Sequence, residues 1–226
     1  MGIKERQERD REAVRRAILD AARELFVAEG YQNVSIRKIA ERIEYSPAAI
    51  YSYFPSKDDI FFALAEEGFR LLGGPVDPYS DKLQPLDPLD RIRVLFQNLY
   101  DFSRNHPQYF TLMFVDHSVP RIVREYERFE FVREMKSSLV AHVQHCIDEK
   151  TLPPSVDPMV ALHLLTIAVL GVAGMRLSDR GPTEIADELA RDVINVVLAG
   201  LQSGIHLHSV AALYATAGAQ QVGVSK

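Results

Sequence analysis

Apolar side chains recur at steps of three and four residues along most of this chain, and nowhere does a two-residue alternation persist. That period stacks side chains on one face of a helix, so the pattern predicts an all-α fold. The first helix is expected over 11–29, with Val14, Ile18, Ala21, Ala22, Leu25 and Phe26 on a common face and Gly30 just past its end. Ser35 is placed to cap a short helix that buries Ile36, Ile39, Ala40 and Ile43. A hydroxyl there can accept from a backbone N–H that has no partner within the helix. After Glu44 and Tyr45, Ser46 caps a third helix with Pro47 at its first position, where the missing N–H costs nothing. It ends near Phe54 and Pro55, and Ser56 opens a fourth helix over 57–72.

Gly73, Gly74 and Pro75, followed by Pro78, Pro85 and Pro88, interrupt the pattern and mark a boundary. Further helices are expected over 89–105, 107–115, 120–149, 158–177 and 183–202, the last capped by Thr183. The organisation read from this is a first domain over 1–60, a connecting helix over 57–72, a second helical domain over 73–203 and a weakly ordered tail over 204–226. The most apolar stretch, Met159–Met175, spans 17 residues, against the roughly 20 a bilayer crossing needs. It reads as a buried interface helix, and no membrane association is expected.

Residues 35–54 have the layout of a helix-turn-helix: cap, short helix, tight turn, cap, short helix. Two short helices at a steep angle need a small packed elbow, assigned to Ala40, Ile43, Ile50 and Tyr45. The second helix carries the small residues Pro47, Ala48, Ala49 and Ser52. Small side chains let a helix enter a DNA major groove about 12 Å wide. Charge is compatible with this. The net charge is −5, but residues 1–60 hold eleven Lys+Arg and eleven Asp+Glu, so the acidic excess lies beyond them. Arg9, Arg11, Arg15 and Arg16 form a basic cluster suited to an N-terminal arm that follows the minor groove or the phosphates, diluted by Glu5, Glu8, Asp10 and Glu12.

The run SIRKIAERIEYSPAAIYSYFPSKDDIFFAL, with AILDAARELFVAEGYQNVS before it, resembles the signature of the TetR/AcrR family of bacterial regulators over about residues 13–64. The resemblance implies a DNA-binding dimer whose third helix reads operator DNA. Tyr51 and Tyr53 would reach phosphates or base edges, Lys57 a phosphate, and Ser35 and Arg37 the backbone and groove edge, with Ser46, Pro47, Ala48, Ala49 and Ser52 completing the surface. Three departures stand out. Glu44 occupies a turn position where the family often has Gly, and is expected to face solvent. Ala49 and Tyr53 replace a common Thr and His. The resemblance further implies an effector-released repressor of a palindromic operator, acting in the cytoplasm; the residues themselves do not separate repressor from activator.

Beyond the boundary, the 159–175 stretch and the helix at 183–202 are expected to form a two-fold dimer interface through Leu165, Val169, Gly171, Gly174, Val193, Val197 and Leu201. A pocket for an apolar or aromatic effector is expected from Phe96, Tyr100, Tyr109, Phe110, Met113, Phe114, His117, Tyr126 and Phe129. A metal-responsive alternative rests on the spacing of His142, His145 and Cys146, with His163 on the neighbouring helix. A protein-binding adaptor that does not bind DNA is the other alternative. The single cysteine leaves no intrachain disulfide. Without a phosphate loop, a nucleophile motif or a paired-carboxylate set, neither catalysis nor a cofactor is expected.

Overall fold

A computed structural model describes residues 2–73, 83, 85–120, 130–180 and 182–204. Its elements are α1 (Ile3–Glu29), a 3-10 turn (Tyr31–Asn33), α2 (Ile36–Arg42), α3 (Pro47–Tyr51), α4 (Lys57–Gly73), α5 (Pro88–Asn105), α6 (Pro107–Phe110), α7 (Glu130–Asp148), α8 (Pro158–Leu177) and α9 (Thr183–Gln202). A π-helical turn, Thr111–Val115, continues α6 directly. There is no strand among the described residues.

The capping residues explain most boundaries. The Ser35 and Ser46 hydroxyls accept from the backbone N–H of Lys38 and Ala49, each at 3.2 Å. Ser56 accepts from the Asp59 N–H at 3.2 Å and donates its own proton to the Asp59 carboxylate at 2.6 Å. Asp157 accepts from Met159 and Val160 at the start of α8. Thr183 is not a cap: it is the first helical residue of α9, after Pro182. Helix α1 begins at Ile3, eight residues before the expected start. Residues 4–13 are exposed, so the apolar period, which begins at Val14, reported only the buried part of the helix. The exposed turns contain no Gly or Pro and are rich in Glu, Lys, Arg and Gln, which are good helix formers.

The chain divides into two compact units, residues 1–75 with 101–133, and 76–100 with 134–226. Neither is a continuous segment. Helix α5 contributes to both.

In the first unit, α1 packs on α2 and α4 around Ile18, Ala22, Phe26, Ile39, Ala40, Ile50, Phe61 and Leu64, all 0–1% exposed. Tyr31 joins this core, with its ring 5.0 Å from Phe26 and 5.7 Å from Phe61. Gly68 lets α4 meet the following segment closely: a Cβ there would overlap Met113 Sδ and come within 3.2 Å of the Tyr109 ring.

In the second unit, α8 and α9 form a helical pair. Leu165, Val169 and Ala173 from α8, and Ala186, Ala190, Ile194 and Leu198 from α9, are sealed from solvent. Tyr100 donates its hydroxyl proton to Asp187 at 2.7 Å, and Arg93 Nε donates to Asn195 at 2.9 Å. These bonds tie the α5 residues of this unit to α9. Helix α8 is long and apolar enough to cross a membrane, by length and composition, and 39% of that window is buried. Packing against α9 accounts for the apolar residues of the buried side alone.

Candidate nucleic-acid interface

Helices α2 and α3 meet at an elbow whose interior is Ala40 and Ile50, both fully buried, with Ile43 half-buried. Tyr45, assigned to that elbow from sequence, is instead 44% exposed. The turn itself explains this. Glu44 takes a left-handed conformation at φ 59°, and the Tyr45 N–H returns to the Ala40 carbonyl at 2.9 Å. The backbone is anchored by that bond while the ring is left outside. Glu44 faces solvent as expected. A left-handed L-residue costs roughly 1–2 kcal/mol, and glycine pays part of this back by loosening the unfolded chain. We therefore expect Glu44→Gly to stabilise the protein by about 1 kcal/mol, read as a higher urea midpoint at unchanged slope.

Helix α3 presents Pro47, Ala48, Tyr51 and Ser52 to solvent while Ile50 points inward; Ala49 and Tyr53 are half-buried. Ser35 and Arg37 are exposed at the start of α2. Arg37 is paired along the helix with Glu41 at 2.9 Å, with its side chain 80% exposed. An exposed pair of this kind contributes little, so the guanidinium is available to another anion. Nine of the ten residues expected at DNA are thus exposed or half-buried on or beside the two short helices.

Lys57 is the exception. Its ammonium donates to the carbonyls of Tyr31 at 2.8 Å and Val34 at 2.9 Å, and sits 4.0 Å from the centre of the Tyr31 ring. Burial lowers its pKa, partly offset by Asp58. The Tyr31 hydroxyl is bonded to Asp58, and burial, then that bond, raise its pKa. Lys57 is thus a staple closing the connection between α1 and α2, which spacing alone could not reveal. Charged hydrogen bonds of this kind are worth about 1.5–3 kcal/mol each, less where water can replace them. We expect Lys57→Ala to lower unfolding free energy by about 1–2 kcal/mol on that basis. Unchanged stability with weakened DNA binding would return Lys57 to the phosphate role.

The basic cluster of α1 divides around the helix. Arg11 lies over the Tyr53 ring at 5.9 Å and Arg15 over Phe54 at 5.4 Å. Arg16 turns to the other side and pairs with Asp20 and Glu67. Its pKa is raised, chiefly by the hydrogen bond to Glu67. Arg23 bonds Gln108 at 3.0 Å and the Tyr109 hydroxyl at 2.8 Å. These side chains wall an open cleft of about 470 Å³, together with Leu71, Asn105, His106 and Pro107. The cleft is lined mostly by polar and charged residues and shares only Tyr109 with the aromatic pocket expected from sequence.

The other residues of that expected pocket differ in their burial. Phe96 and Tyr100 are buried in the second unit, and Phe110 in the first. Met113 and Phe114 are half-buried and His117 is exposed. Tyr126 and Phe129 lie outside the described residues. Of the expected dimer residues, Leu165, Val169 and Leu201 are 0–3% exposed and belong to the core of the subunit itself. Gly171 is exposed, and Gly174, Val193 and Val197 are half-buried. The apolar residues that do face outward on these helices are Ile167, Ile185 and Val196, at 65%, 49% and 69%. A helix apolar nearly all round gives no phase, so its outer face could not be chosen from sequence. His142, His145, Cys146 and His163 do not gather: Cys146 is buried, His163 is exposed, and no metal-ligand group forms among the described residues.

Comparison with known proteins agrees with the helix-turn-helix geometry. Residues 18–64 match the family model described as bacterial regulatory proteins, tetR family. The chain is 46% identical over 104 residues to the HTH-type transcriptional repressor Rv1474c of Mycobacterium tuberculosis, covering 41% of this chain and 56% of that protein. It is 32% identical over 83 residues to the nucleoid occlusion factor SlmA of Mannheimia succiniciproducens, covering 37% and 38%. The chain therefore spans about half, or less, of the length of the curated relatives it matches. Among solved structures, the transcriptional regulator FadR from Bacillus subtilis, in complex with stearoyl-CoA, is similar at a TM-score of 0.63 and 18% identity, over 84% of this chain and 98% of that one. That likeness extends the shared fold to the C-terminal helices. Over residues 18–64, the helix-turn-helix region, the chain is thus similar to the bacterial regulatory proteins of the tetR family.

Proposed function

We propose that this protein is a DNA-binding transcriptional regulator, an effector-released repressor that grips a palindromic operator as a dimer. One observation supports this most: α3 is anchored by the buried Ile50 while Pro47, Ala48, Tyr51 and Ser52 lie bare on its outer side. A capped, rigid helix with a small-residue face suits insertion into a major groove. The contacts we assign are Ser35, Arg37, Ser46, Pro47, Ala48, Ala49, Tyr51, Ser52 and Tyr53. Two copies would set their recognition helices about 35 Å apart, one turn of DNA. The pairing surface is the outward face of α8 and α9 around Ile167, Ile185 and Val196, joined by Gly171, Gly174, Val193 and Val197.

The effector class we infer is an apolar small molecule, in keeping with the ring-rich sequence over 96–114 and with the acyl-CoA bound by the structurally similar FadR. It acts by preferring a state whose spacing does not fit the operator, so its differential affinity sets the size of the response. The experiment is a nuclease footprint on the operator with long-chain acyl-CoAs titrated in. A symmetric footprint of two half-sites, lost on titration, supports the whole reading. A symmetric footprint that persists removes the acyl-CoA proposal alone. The likeness to a nucleoid occlusion factor favours a second reading, in which DNA binding serves something other than transcription. A reporter fused to the bound site separates the two.

A further inference from the structure

Almost every cation of the helix-turn-helix domain has a partner within the protein, although an exposed pair such as Arg37–Glu41 is easily given up. Arg15 pairs with Glu12, Arg16 with Asp20 and Glu67, Arg23 with Asp20, Arg37 with Glu41, Lys38 with Glu29 and Arg42 with Glu24. Lys57 is held by two carbonyls. Between residues 10 and 60, Arg11 stands apart: among the described residues it pairs with no carboxylate, it is exposed, and its guanidinium lies over the Tyr53 ring at 5.9 Å.

This placement has consequences. Tyr53 follows α3 and is fixed by its N–H bond to the Ile50 carbonyl at 2.9 Å. One turn along α1, Arg15 lies over the buried ring of Phe54. Together the two stacks hold the exposed N-terminal turns of α1 beside the C-terminal end of the recognition helix. A guanidinium stacked on a ring keeps its in-plane N–H donors free, and their geometry matches a phosphate. An unpaired exposed arginine at that edge has no partner to give up before binding DNA.

We infer that Arg11 is a DNA-phosphate contact, with Tyr53 as the platform that positions it. This rests on the DNA-binding reading above and adds to it a residue outside the helix-turn-helix. The site is electrostatic and sequence-independent, so it sets affinity and salt dependence and leaves sequence preference alone.

The test uses the full chain and a duplex that the wild-type protein itself selects from a random-sequence pool, titrated over a series of salt concentrations. Arg11→Ala should weaken binding about tenfold at moderate salt and reduce the slope of log affinity against log salt by about 1. Arg11→Lys should keep the slope, because the charge remains, and bind less tightly than wild type. Arg42→Ala, an equal loss of charge away from Tyr53, should leave the slope near that of the wild type. Thermal unfolding of each variant should match the wild type, since a purely structural stack would move stability and leave the salt slope alone. A wild-type protein that selects a duplex, with Arg11→Ala matching it in both affinity and slope, overturns this inference and spares the DNA-binding reading. A wild-type protein that selects no duplex overturns both.

Discussion

Ala48→Glu should lower operator affinity about a hundredfold, or roughly 2–3 kcal/mol, while leaving the fold unchanged. Ala48 lies on the exposed side of α3, one residue after the proline that opens the helix. Its side chain meets solvent, so a glutamate there displaces nothing, and an acidic residue near a helix N-terminus is tolerated or mildly favourable. On DNA the same substitution brings a carboxylate and the methylene that carries it into a groove lined with phosphate. Like charge and lost fit then act together. Circular dichroism and the urea midpoint should stay at wild-type values while binding falls. Intact binding by a folded Ala48→Glu protein would mean that α3 is not the inserted helix.

Phe61→Ala should be the most destabilising single truncation in the first unit, costing about 3–5 kcal/mol. Phe61 is fully buried on α4, its ring 5.7 Å from Tyr31 and 5.6 Å from Phe62. Removing it deletes a large apolar surface and leaves a void that the surrounding helices fill only in part. The damage extends to the turn before α2, because Tyr31 supplies a carbonyl to Lys57 and a hydroxyl to Asp58. Urea unfolding measures the loss directly. A cost under about 1 kcal/mol would mean that the core collapses freely around the site, against the packing described.

Much of this was readable in the chain because the signals were local. Ser35, Ser46 and Asp157 behave as caps since capping depends on the next two or three residues alone. The boundaries of α8 and α9 follow Pro158 and Thr183, where the apolar period opens. The helix-turn-helix was visible for the same reason, as a run of short periods between capping serines. What escaped depends on partners far away in sequence. Lys57 looks like any lysine at a helix start until the Tyr31 and Val34 carbonyls are found beneath it. Arg11 and Tyr53 are 42 positions apart, and nothing in the spacing joins them. Tyr45 has an aromatic ring that composition assigns to a core, yet the left-handed turn at Glu44 puts it outside. Leu165 and Val169 lie in the core of the subunit because α8 has apolar side chains on most faces, and periodicity cannot then distinguish inside from outside.

The most direct test of the central claim is selection of bound fragments from genomic DNA at about 0.1 M salt, near physiological screening, with the Ala48→Glu protein in parallel. The account predicts that the native protein recovers fragments sharing a two-fold symmetric site, with half-sites about one helical turn apart, and that the variant recovers none. A folded native protein that enriches no sequence, or a variant that enriches the same one, would contradict it.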